Sequence, residues 1–233
     1  MSPVALSLPF EGRWLVQNSP ARRVPSHGLD LLGQRYAIDF VAVDERGRTA
    51  PRRDWRTALS TEPPERFFGF GLPILAPVDG VVVQAHDGES DHQARRSQLA
   101  LVPYALGQAS RVRQGPDALA GNRVVMRDHA SGMLVALVHL RAGSLRVGIG
   151  DEVVRGDPLA ECGNSGNSTQ PHVHVQVMDS TDFHLAQGVP LVFALYRQWG
   201  PASGAVADVD SGIPLERAIV ASLPSPQQHS RLS

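Results

Sequence analysis

The sequence predicts an all-β protein, built mainly of antiparallel strands around a sheet and interrupted by loop insertions. Short segments alternate apolar and polar residues with the period of two that a half-buried strand requires. Each is bounded by Gly, Pro, Asn or Asp, and few windows carry helical periodicity. In chain order the predicted strands are 13–16, 36–43, 80–85, 122–127, 134–140 and 172–178. Asp-His-Ala-Ser-Gly at 128–132 reads as the hairpin loop between the fourth and fifth of these. Residues 147–160, Val-Gly-Ile-Gly-Asp-Glu-Val-Val-Arg-Gly-Asp-Pro-Leu-Ala, give closely spaced turns that fold short strands back on one another. Polar stretches at 46–66 and 87–120 are predicted surface insertions, since loops of this length in a compact domain tend to serve function. The apolar segment 183–199 is predicted to pack back on the core, and the Pro/Ser-rich end from Ser222 to be disordered.

At 233 residues and 42% hydrophobic, the chain is long enough for one substantial core. A formal net charge of −1 with no block of like charge gives no electrostatic case for nucleic acid or an anionic membrane surface. All 22 basic residues are arginine, which excludes Schiff-base and P-loop lysine chemistry. The lone Cys162 makes neither an internal disulfide nor a thiolate zinc site, so any metal here needs imidazole and carboxylate ligands. No stretch reaches transmembrane length, and no signal peptide is visible at the start shown, which leaves the compartment open.

The chemistry concentrates in Pro171-His172-Val173-His174-Val175-Gln176-Val177. Alternation puts His172 and His174 on one face, with Cα atoms about 6.5 to 7 Å apart, and the valines on the other. Asp39, in the hydrophobic run Tyr36-Ala-Ile-Asp-Phe-Val, is a carboxylate whose burial would cost several kcal/mol without a compensating charge, and a metal cation is one solution.

Asp39, Val138-His139-Leu140, Gly163-Asn-Ser-Gly and the His-Val-His strand, in this order, resemble the lysostaphin-type (LytM, M23) zinc metallopeptidases that cut peptide cross-links in bacterial cell walls. The resemblance runs from Pro25 to Met178. It includes the turn-and-strand segment Pro73-Ile-Leu-Ala-Pro-Val-Asp-Gly-Val-Val and the glycine-rich turns up to Gly166. It implies a groove-bearing β-sheet of the duplicated-hybrid-motif kind and a peptidase region at 25–200 carrying the two insertions. A lead-in with an N-terminal strand would occupy 1–24, and a partly disordered extension 201–233. It also implies a peptidoglycan or peptide substrate and a Zn2+ cofactor, with Asp39 and His174 as ligands and His139 and His172 as catalytic neighbours.

The sequence departs from the family at two positions. The usual histidine four residues before the aspartate is Arg35, and a guanidinium cannot bind zinc. The expected third ligand is therefore His27, twelve residues upstream, on a loop that Gly28 and Gly33 allow to bend. Leu137 stands where the family often has tyrosine.

Asp30 and Asp44 compete with Asp39 less well, lacking its strand context. His86, His92, His129, His184 and His229 read as bystanders, with His86 and His92 the closest to a role. Gly163-Asn-Ser-Gly lacks the glycine at 167 that a nucleophile elbow needs, which removes a serine hydrolase. Two other readings remain: a catalytically degenerate M23-like binding or regulatory module, favoured by Arg35, and a metalloenzyme acting on some other amide.

Overall fold

The computed structural model describes residues 2–51, 61–95, 116–201 and 204–223. The central portions of both expected insertions, 52–60 and 96–115, and the tail from 224 lie outside the described residues. So does His229.

The all-β expectation holds. Thirteen strands are described: β1 (Val4–Leu6), β2 (Trp14–Gln17), β3 (Ile38–Ala42), β4 (Pro73–Leu75), β5 (Gly80–His86), β6 (Asn122–Asp128), β7 (Leu134–Leu140), β8 (Glu152–Val153), β9 (Pro158–Glu161), β10 (Val173–Met178), β11 (Leu191–Trp199), β12 (Val206–Gly212) and β13 (Ile219–Ser222). Eleven form one sheet in the order β1-β11-β13-β2-β3-β10-β7-β6-β5-β8, with β12 on β11, and β4 pairs β9 separately. Every pairing is antiparallel except β1 with β11. The one described α-helix, α1 (Pro116–Ala120), falls inside the second expected insertion. The segment 183–199 supplies β11, and the stretches before residue 25 and after 200 contribute β1, β2, β12 and β13 to the same sheet.

The middle of the sheet, β3-β10-β7, is what positions the site. Its strands are buried on both faces, and the two faces do different work. On one face Ile38 and Phe40, Leu137, and Val173, Val175 and Val177 enter the main core. There Phe10 stacks on Trp14 at 4.4 Å between ring centroids and meets Phe40 edge-on at 5.0 Å. This aromatic packing fixes which way β3 faces, because a one-residue slip would carry Phe40 out of the core and Asp39 into it. On the other face a smaller cluster, Val125, Leu134, Ala136, Val138, Met178 and Phe183, borders the polar residues of the site.

Candidate metal centre

Asp39 of β3 and His174 of β10 are direct cross-strand partners, so their side chains leave the same face side by side. His172 and Gln176 flank His174 on that face by the period of two. All four are buried. His27 arrives from the loop between β2 and β3. His27, Asp39 and His174 each offer a ligand atom within 4.8 Å of the others'. Arg35 points away from the cluster and pairs with Asp30 at the surface. Asp44 is likewise taken up by Arg48.

His139 reaches the site by a different route. Val138 lies opposite His174 on the site face, so strict alternation along β7 would send His139 into the valine core. Instead β6 pairs Asn122 with Leu140 and Arg123 with Val138, so His139 is an extra, bulged residue, and its φ is +65°. That left-handed conformation is uncommon for a non-glycine residue and re-aims the side chain, a recognised use of bulges. Its ring lies 4.7 Å from that of His172. The Gly163–Gly166 loop holds it there through Ser165, whose carbonyl accepts from His139 Nδ1 at 3.0 Å. This approach needs glycine at 121 and 166, where a Cβ would lie 2.5 Å from Ser165 Oγ and from Gly121 N respectively. The Ser165 hydroxyl itself donates to Leu140 O and accepts from Asn122 N, a structural use.

Hydrogen bonds fix the tautomers. A carbonyl only accepts, so His139 Nδ1 and His172 Nδ1, the latter 2.8 Å from Gln170 O, both carry protons. In their neutral forms each keeps a basic Nε2. Burial holds His139 well below the ordinary imidazole range and His172 below it, which keeps them neutral at pH 7.

Around Asp39 the electrostatics run the other way. Burial alone would raise its pKa, but His27, His174 and their hydrogen bonds hold it well below the carboxylate range. For His27, too, burial pulls the pKa down, and Asp39 outweighs it so that the net shift is upward. Asp39 Oδ2 accepts from Asn18 Nδ2 at 2.7 Å and lies 3.0 Å from His27 Nε2, while Oδ1 lies 2.8 Å from His174 Nδ1.

The donor set fits a cation for a reason beyond composition. Gln176 Nε2 donates to Leu32 O at 2.9 Å, so its Oε1 faces His174 Nε2 at 3.0 Å and requires a proton there. A neutral His174 then presents a bare lone pair from Nδ1 to the Asp39 carboxylate. Only a second proton or a metal ion between them relieves that contact. At His27, Nδ1 can donate to Ser26 Oγ at 3.0 Å, whose hydroxyl passes on to Gln34 O at 3.3 Å, leaving Nε2 free to ligate. Both ligand imidazoles are thus oriented by partners of the kind that metal-binding histidines use.

The cluster lies in a groove of about 430 Å3. Asn18, Gln176 and His184 line it alongside the expected residues. Gln176 was findable, standing two residues beyond His174 on the same face. Asn18 carries no sequence signal, since its role depends on β2 running beside β3. His184, read from sequence as a bystander, sits on the groove wall, whereas His92 instead ties Gly166 O at 2.8 Å and braces the glycine loop.

Residues 103–186 match the model of peptidase family M23, a span that includes His139, His172 and His174. This bears out the resemblance to that family and supports a peptidase. No curated protein matches the chain. Similar solved structures include the catalytic domain of the antimicrobial peptidase lysostaphin from Staphylococcus simulans, 18% identical over 76% of this chain and 88% of that one, with TM-score 0.39. The catalytic domain of the prophage-encoded M23 protein EnpA from Enterococcus faecalis, an A109H mutant, is 18% identical over 82% and 90%, also at 0.39. A zinc-containing peptidase from Vibrio cholerae is 18% identical over 66% and 48%, at 0.33.

Proposed function

We propose that this M23-like chain is a zinc-dependent endopeptidase of the peptidoglycan-hydrolase type, with its catalytic unit at 25–200, acting on peptide bonds of cell-wall cross-links. The observation that carries the reading is the convergence of His27, Asp39 and His174, whose ligand atoms lie within 4.8 Å of one another, with Gln176 Oε1 facing His174 Nε2 so that Nδ1 is the nitrogen turned to Asp39. His27 Nε2, Asp39 and His174 Nδ1 would hold the ion, two nitrogens and one oxygen, the donor set that catalytic zinc uses when it keeps a position open. When bound, zinc supplies Lewis acidity and makes water a competent nucleophile near neutral pH.

The chain's own residues do the rest. His139 and His172, neutral and with Nε2 unprotonated, sit beside the ligands as general bases. One Nε2 takes the proton from the attacking water. The imidazolium so formed stabilises the developing oxyanion and delivers that same proton to the leaving amine, while the other Nε2 accepts the second proton of the water as the carboxylate product forms. The carbonyls of Ser165 and Gln170 keep both rings in the required tautomer. Arg35, the residue that favoured a degenerate module, is occupied with Asp30.

Metal analysis of the purified protein together with hydrolysis of wall peptides tests the reading. One zinc per chain and cleavage, both lost in His174→Ala, are expected. A protein that binds no divalent metal, or one whose His174→Ala variant keeps both metal and activity, overturns it.

A further inference from the structure

We propose that the groove selects a substrate whose residue beside the scissile bond carries a neutral, apolar side chain, and that Leu29 and Leu31 are specificity-determining residues. This rests on reading the groove as the substrate site of the proposed peptidase.

Two observations carry it. First, among the described residues the groove lining contains no arginine, glutamate or aspartate other than Asp39, which the histidines and Asn18 already occupy. A substrate ammonium or carboxylate lying along these walls away from the ion would lose water and find no opposite charge among the described residues, a cost that an apolar side chain does not incur. Second, beside the neutral polar Gln17, Gln34, Asn167, Thr169 and Gln170, one side of the lining is apolar. Val138 and Phe183 stand on the sheet side, with Leu29, Leu31 and Leu32 on the His27 loop and Leu119 on α1. Leu29 and Leu31, both on the groove lining, are 60% and 55% exposed. Single exposed leucines are ordinary, but two on one loop that line the same groove beside the candidate ligands form an apolar surface suited to a ligand. The ligand loop therefore has a second use. Fixed through Gln34 O and Leu32 O to the two ligand histidines, it brings a hydrocarbon wall against whatever is held at the reacting atoms.

The test is a peptide series Gly-Gly-X-Gly-Gly with blocked ends, X being Leu, Ala, Gly, Glu or Lys. Binding is measured on zinc-reconstituted His139→Ala protein, whose ligands are intact, and relative cleavage of the same mixture on wild type. The expected order is Leu, then Ala, then Gly, with Glu and Lys weakest and Leu favoured over Glu by about tenfold or more. Leu29→Ser with Leu31→Ser, both at exposed loop positions, should bring Leu down to the level of Gly without changing zinc content. Equal affinity across the series, preference for Glu or Lys, absence of binding, or a Leu preference that survives the double serine variant would overturn the proposal. Absence of cleavage by the zinc-loaded wild type, with the Leu preference retained in binding, would instead overturn the peptidase reading and leave the groove's selectivity standing.

Discussion

Gln176→Leu isolates the orientation of a ligand from its presence. The substitution keeps a side chain of similar bulk but removes the Oε1 that accepts from His174 Nε2 at 3.0 Å and the amide that donates to Leu32 O at 2.9 Å. His174 is buried, so its Nε2–H loses the only partner it has among the described residues where water cannot easily replace it, at a cost of about 1 to 3 kcal/mol. Part of this is recovered if the ring turns or moves its proton to Nδ1, but either change spoils Nδ1 as a ligand. Loss of a partner that orients a metal ligand typically weakens affinity about 10- to 100-fold, or about 1.4 to 2.7 kcal/mol. Competition with a chromophoric chelator at fixed pH reads the zinc Kd directly. Gln176→Glu is the control. Its carboxylate accepts from Nε2–H more strongly, so zinc affinity should equal or exceed that of the wild type even though the bond to Leu32 O is gone. An unchanged Kd in the Leu variant refutes the reasoning. Equal weakening in both variants also refutes it, since that would make packing, not the acceptor, the relevant property.

Two variants test the third ligand. His27→Ala should abolish stoichiometric zinc and Arg35→Ala should leave it intact; full zinc in His27→Ala by metal analysis would overturn the assignment of His27. The metal-free fold should also weaken in mild acid. Below about pH 6.5 the unfolded chain protonates His139 and His172 while the fold keeps them neutral, so each removes up to about 1.4 kcal/mol of stability per pH unit as pH falls. His27, with its raised pKa, opposes them: its contribution is full below about 6.5 and fades as pH rises through its folded value. Asp39 contributes above the unfolded carboxylate pKa of about 3.9 and is lost only at lower pH. Because the His27 contribution is already nearly constant below about pH 6.5, His139 and His172 predict a urea midpoint that falls between about pH 6.5 and 5.5, and a flat or rising midpoint would contradict the burial assigned to them.

What could be read from the sequence followed periodicity. The strands carrying Asp39, His139 and the histidine pair appear within two residues of their predicted bounds, because their alternation reflects a core face that admits only one register. His172, His174 and Asp39 converge because the alternation of β3 and β10, combined in the observed register, leaves no other face for them. What could not be read depends on exceptions to periodicity. His139 shares its predicted face with Leu137 and would lie in the core, and one bulged residue reverses it. Nothing in Val138-His139-Leu140 announces a bulge, because its cause lies on other strands, in the glycine contacts of 121 and 166 that make room for Ser165. The His27 loop is similar. Its glycines show that it can bend but not where it ends. The end point is set by Leu32 O and Gln34 O meeting side chains from β10 and from the loop itself. Residues on the strand of the histidine pair, Gln176 included, can thus be found from their own neighbourhood, whereas Asn18, which donates to Asp39, is defined by β2 running beside a strand distant in the chain.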